Sequence, residues 1–246
     1  MKTQDYFKLI ERETKKVYAV AEEARSKGMD PSDKVEIPLA RSLAEKVVGL
    51  IATVYPQMTG SGIVERIIEL EKKFGKLDPA ICLQIAEEIA KQKFCKFASL
   101  KEAIEAGARI GIAYITLGVV SSPIEGFTEV KIVKTKDGKE YFSPYFSGPM
   151  RSAGGSSAAF SLVIIDYLRE LFGYAKYDPR EEEIKRSVVE MRDYHERITN
   201  LQYMPTDEEI RFLAKHLPVQ VNGDPSETLE ASNYKNLERI ETNFVR

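Results

Sequence analysis

The chain is poor in the residues that do most reactive chemistry: it has two cysteines, two histidines and no tryptophan among 246 residues. Cys82 and Cys95 form no Cys-x-x-Cys pair, and neither His195 nor His216 stands near a cysteine at metal-ligand spacing. No zinc set or redox motif is written here. A single continuous helix carrying both thiols would hold them roughly 20 Å apart at about 1.5 Å per residue, beyond disulfide reach. The expectation is two buried, reduced cysteines. Long apolar runs are missing as well. Residues 110–120 form one of the longest, far short of the roughly 18 residues that span a bilayer. Residues 1–10 are charged and polar where a secretory signal would turn apolar. A cytoplasmic chain with no membrane partner is therefore expected. An excess of positive charge is also lacking: 36 Lys+Arg against 38 Asp+Glu leaves a net charge of −2. That is not the footprint of bulk electrostatic attraction to nucleic acid, so any such contact must come from a local surface.

What is present is an ordinary globular composition, 43% hydrophobic and 30% charged, with strong helical periodicity. The pattern predicts a mainly α protein: a multi-helix bundle with a small β-hairpin and short strands near the middle and C-terminus. Over residues 5–26, Phe7, Ile10, Thr14, Val17, Ala21 and Ala24 recur at spacings of three and four, a narrow helical seam. Phe7, Ile10, Val17 and Ala21 are the candidate partner or oligomer contact, with a homodimer as one form of it. Gly28 and Asp30-Pro31 stop this helix.

Residues 36–120 read as a bundle. Leu39, Leu43, Val47, Leu50, Ile51 and Val54 mark one helix, and Ile63, Ile67, Leu70 and Phe74 a second, ended by Gly75. Asp78-Pro79 opens a third, as an N-cap followed by proline in the first turn. Ser99 with Glu102 opens a fourth as a capping box. Residues 121–246 change character. Phe127 to Val133, Asp137-Gly138, then Tyr141 and Phe142 predict a β-hairpin on a two-residue turn. Helices are expected again at about 156–172, 179–198 and 206–217. The three regions 1–30, 36–120 and 121–246 are the expected organisation, the last packed with the bundle.

Two segments could meet a ligand. Ser147-Gly148-Pro149-Met150-Arg151-Ser152-Ala153-Gly154-Gly155-Ser156-Ser157 joins a strand to a helix, and between residues 143 and 165 Arg151 is the only charged residue. Small residues admit close backbone approach, and free N–H groups in a first helical turn favour an anion. An adjacent arginine adds a charge-assisted donor. Arg151, Ser152, Gly154, Gly155, Ser156 and Ser157 are thus candidates for a phosphate contact. The alternative for such a stretch is close helix packing. It matches neither a Walker loop nor a dinucleotide fingerprint. In the second segment Arg192 and His195 share a helix face, with Arg197 about 100° further round and Asn200 beyond. These could line a polar groove for a nucleic-acid backbone, or end a solvated helix in ion pairs. Catalytic residues are not expected, because Glu181-Glu182-Glu183 and Asp207-Glu208-Glu209 fall in first turns where carboxylates complement the helix dipole.

Five stretches taken together resemble landmarks of the large subunit of family-D DNA polymerases. They are Gly118 to Gly126 (GVVSSPIEG), Tyr145 to Ser157 (YFSGPMRSAGGSS), Asn200 to Pro205 (NLQYMP), Leu217 to Glu227 (LPVQVNGDPSE) and Leu237 to Asn243 (LERIETN). They fall in order over the second half of the chain. Ser147, Met150 and Ser156 depart from the usual Ala, Ile and Thr but keep size. The resemblance implies an archaeal replicative DNA-directed DNA polymerase, a nucleotidyltransferase of two subunits, the small one a 3′–5′ exonuclease. It implies that catalytic aspartates and zinc segments lie downstream, that Mg2+ serves the complete polymerase, and that this region needs no cofactor of its own. Expected partners are the small subunit, primer–template DNA and the downstream catalytic core. The expected function is a non-catalytic assembly and DNA-contacting module. The alternatives are a domain that only packs on the catalytic core and, less favoured, an independent enzyme on a phosphorylated small molecule.

Overall fold

The computed structural model describes residues 3–29, 40–147, 150, 155–197 and 200–223. The chain divides into two units, Met1–Leu39 and Ala40–Arg246. The first contains α1 (Thr3–Ser26), none of whose residues is buried; Phe7 is 63% and Val17 68% exposed. The apolar seam read from the sequence is therefore formed as a helix. Gly28 takes a left-handed φ of 69°, and its N–H closes onto Arg25 O, ending the helix as its position suggests.

The second unit begins with helices α2 (Leu43–Ala52), α3 (Ile63–Phe74), α4 (Pro79–Ala90) and α5 (Leu100–Ile115). The starts of α2, α4 and α5 follow the capping chemistry. Ser42 Oγ accepts from Glu45 N–H, Asp78 from Ala80 N–H and Ser99 from Glu102 N–H. At Ser99 the return arm goes one residue further than expected, because Glu102 receives the N–H of Ala98. Helix α5 is the centre of the unit: Ala103, Ile104, Ala106, Ala108, Ile110, Ile112, Ala113 and Tyr114 are all buried. Its contact with α4 is intimate, since a Cβ on Gly107 would stand 2.5 Å from Ala86 O. Two apolar residues of the expected stripes lie outside the core. Val54 lies beyond the end of α2, and Phe74 is half-exposed under Lys73 Nζ, 4.5 Å from its ring centre. Cys82 is buried as expected, whereas Cys95 lies past the end of α4 and is only partly buried; both are free thiols.

A π-helical turn (Ser121–Gly126) leads into β1 (Phe127–Lys134), which pairs antiparallel with β2 (Glu140–Phe146). The connection is longer than the expected two residues. Gly138 N–H donates to Thr135 O, Gly138 has φ 79°, and Thr135 N–H reaches Lys139 O. This is a three-residue loop of a turn followed by a left-handed glycine. Pro144 stands within β2, where it cannot donate. The hydroxyl of Ser143 donates to Gln220 O instead, Phe142 O and Pro144 O accept from Gln220 and Asn222 N–H, and Phe146 N–H reaches Asn222 O. Residues 220–222 thus serve as a short third strand along β2. Helices α6 (Gly155–Leu171), α7 (Glu181–Arg197) and α8 (Asp207–His216) complete the fold. Thr206 and Glu209 form a full capping box at the start of α8. The mainly α architecture with one hairpin is the expected one.

Candidate nucleic-acid interface

Of the glycine-rich segment, Arg151, Ser152 and Gly154 lie outside the described residues, and its flanks lie within them. Ser147 ends the strand, its N–H on Gly126 O at 2.8 Å and its hydroxyl on Glu125 O at 2.7 Å. Met150 is buried in the main core. Gly155 and Ser156 are exposed at the start of α6, and Ser157 is partly buried, its carbonyl accepting from Ser161 Oγ. No acidic residue occupies the first turn of α6. The first turns of α7 and α8, by contrast, carry Glu181, Glu182 and Glu183, and Asp207, Glu208 and Glu209. The helix dipole is therefore answered from within at α7 and α8, whereas the first turn of α6 carries no acid of its own.

The second candidate group is held by internal contacts. Arg192 makes a two-pronged ion pair with Asp207 of α8, Nε–Oδ1 3.1 Å and Nη2–Oδ2 2.6 Å. His195 Nδ1 accepts the N–H of Leu201 at 3.1 Å, which requires that nitrogen to be unprotonated. Arg192 and His195 thus help tie α7 to α8 and to Leu201 in the connection between them. Asn200 is exposed, and the side chain of Arg197 is not described.

A groove of about 420 Å3 separates α6 from α7 and α8. Phe146, Met150 and Gly155 line it near the β2–α6 junction, and Met191, Tyr194 and Leu213 line it from α7 and α8. Gly155 of the first candidate set lines this groove, with Tyr194 and Leu201 but not Arg192, His195 or Asn200 of the second, and its walls are mainly apolar rather than basic. Exposed apolar side chains continue beside it: Tyr203 is 65%, Phe212 62% and Leu213 55% exposed. Among the described residues no three His, Cys, Asp or Glu side chains gather as a metal site would need. Among the described residues no helix is long and apolar enough to cross a membrane.

A family model described as "DNA polymerase II large subunit DP2, N-terminal" matches residues 5–246. The chain belongs to that family. It is 45% identical over 241 residues to the DNA polymerase II large subunit of Nanoarchaeum equitans, covering 98% of this chain and 19% of that protein. Against the DNA polymerase II large subunits of Methanosarcina barkeri and Methanothermobacter thermautotrophicus it is 42% identical in each case, over 242 and 244 residues. Those matches again cover 98% of this chain, and 20% and 21% of the relatives. The chain thus spans about a fifth of the length of these polymerase subunits.

For this N-terminal family the fold gives several landmarks a structural reason. GVVSSPIEG is the π-helical turn with its approach, and LPVQVN is the short strand on β2, where Tyr141 Oη donates to Gln220 Oε1 at 2.7 Å and Asn222 Nδ2 to Ser143 Oγ at 2.9 Å. Helical periodicity marks Arg109 only as part of a core helix, and sequence reasoning misses its role. Its guanidinium, 7% exposed, donates to the carbonyls of Pro123, Phe127 and Thr128 and lies 4.8 Å from the Phe127 ring centre. One helical turn earlier, Glu105 accepts Val130 N–H at 2.8 Å. Burial pushes the Glu105 carboxyl above its ordinary range, against the lowering pull of Val130 N–H, Lys101 and Arg109. Together these two side chains cover the outer edge of β1 over residues 127–130, taking the place of a neighbouring strand. The available signal is the isolation of Arg109, the only basic residue between Lys101 and Lys131.

Proposed function

We propose that this region is a non-catalytic assembly and DNA-contacting module of a replicative DNA-directed DNA polymerase, a nucleotidyltransferase whose small subunit supplies 3′–5′ exonuclease activity. The observation that carries it is the start of α6: an exposed Gly155-Ser156 first turn with no acid, preceded in sequence by Arg151 as the lone charge. Free helical N–H groups, a lone arginine and small residues are the ingredients of a backbone-phosphate contact. Arg151, Ser152, Gly154, Gly155, Ser156 and Ser157 make it; Arg192, His195, Arg197 and Asn200 are assigned as a second contact to nucleic acid, the first two held through Asp207 and Leu201. Phe7, Ile10, Val17 and Ala21 on α1 serve assembly, with the small subunit or a second copy. The downstream core holds Mg2+ and performs the chemistry.

The test is fluorescence anisotropy of the chain with labelled primer–template DNA over a salt series, beside Arg151→Ala. Binding that falls with salt, and a salt slope smaller by about 1 in the variant, is expected for a single phosphate contact. Wild-type protein that fails to bind even at low salt overturns the DNA contact. A second reading, a domain that only packs on the catalytic core, is favoured by the apolar groove and by exposed Tyr203, Phe212 and Leu213.

A further inference from the structure

We infer that Arg109 is a positioning residue for Ser147 and Met150, the described residues between β2 and α6, acting through the π-helical turn and never touching the ligand itself. Its consequence for DNA rests on the contact proposed above, and its substance on geometry.

Three carbonyls converge on one buried guanidinium: Pro123 within the turn, and Phe127 and Thr128 just after it. An arginine fork can satisfy all three, whereas a lysine ammonium, compact and on a flexible stem, cannot span them in fixed directions. The turn so held also holds Ser147 and Met150. Gly126 O receives Ser147 N–H, Glu125 O receives the Ser147 hydroxyl, and Gly126 is packed against Met150. A Cβ at position 126 would lie 2.6 Å from Met150 Cβ and 2.9 Å from Ser121 O, so there is no slack between the turn and Met150. Every described residue between β2 and α6 therefore rests on the turn that Arg109 holds. Since α5 is buried at the centre of the unit, Ser147 and Met150 are tied through the turn to the core.

Two variants separate positioning from plain stability. Arg109→Lys keeps the charge and loses the fork. Gly126→Ala keeps Arg109 and forces Met150 away from the turn. Hydrogen–deuterium exchange should show faster exchange at the Ser147 amide in both, with α2, α3 and α4 protected as in wild type. Primer–template affinity should fall by at least about fivefold in both, the lower end of an indirect coupling. Arg109→Lys should add nothing further in an Arg151→Ala background. Unchanged exchange at Ser147, exchange that rises evenly through α2–α4, or an affinity loss that persists undiminished in the Arg151→Ala background overturns the inference. If wild type does not bind DNA, the functional proposal falls, and the Ser147 exchange alone decides the role of Arg109: faster exchange sustains it, unchanged exchange removes it.

Discussion

Helix α5 and the α7–α8 pair treat charge and apolar surface in opposite ways. On α5 the apolar residues are all but consumed by the core, and its two innermost charges, Glu105 and Arg109, turn to the backbone of β1. On α8 Phe212 and Leu213 face outward while Arg192 and Asp207 tie that helix to α7. A side chain on α5 answers to its own fold. One on α8 is left with apolar surface that the described residues of its unit do not cover. In a chain that spans a fifth of its relatives' length, the first kind of region is what makes a unit stand, and the second is what a larger assembly can use.

Substitutions can break or sharpen that contrast. The largest effect is expected at an exception to it, the Arg186–Glu190 ion pair inside α7, with Nε–Oε1 at 2.6 Å and both side chains at most 5% exposed. Glu190→Ala should cost about 3–5 kcal/mol in urea unfolding, because it takes a carboxylate away from a buried guanidinium. Next, Gly107→Ala should cost about 1–3 kcal/mol through collision with Ala86 O, whereas Gly49→Ala, with open space around it, should stabilise α2 by about 0.5–1 kcal/mol. Equal effects at both sites would mean that α4 and α5 are not in the close contact described.

Glu88 offers a pH test. Burial alone would raise its carboxyl, but the Arg66 guanidinium, with Nε–Oε2 and Nη2–Oε1 both 2.9 Å, together with Gln84 and Lys93 outweighs this and holds it below its ordinary value. Such a depressed carboxylate contributes stability above its unfolded pKa, and the contribution is lost as pH falls through the lower folded value. Arg66→Ala should therefore lose about 1.5–3 kcal/mol near neutral pH, with the difference from wild type shrinking in acid. The smallest effect is expected on α8: Phe212→Ser and Leu213→Ser should change stability by less than about 0.5 kcal/mol. A larger loss would show that this face is already covered within the unit.

Helix positions and the caps at Asp78 and Ser99 were legible because such side chains act locally, within three residues of chain. The hairpin was legible in place but not in loop length, because Asp137-Gly138 fits both a two-residue turn and the three-residue loop that Thr135 and Lys139 close. The π-helical turn and the Arg109 fork were not readable, since they depend on carbonyls 14 to 19 residues away meeting one side chain. For Arg192 the ion-pair alternative was readable, but the partners of Arg192 and His195 were not, because Asp207 and Leu201 reach them only after α7 and α8 pack.

The most direct test of a DNA contact at the start of α6 is a hydrogen–deuterium exchange footprint of the chain with and without primer–template DNA. Protection concentrated at residues 147–157 and near the end of α7, with α2–α5 unchanged, is the predicted result. Protection spread over α2–α5, or none at the start of α6, would contradict a DNA contact through that segment.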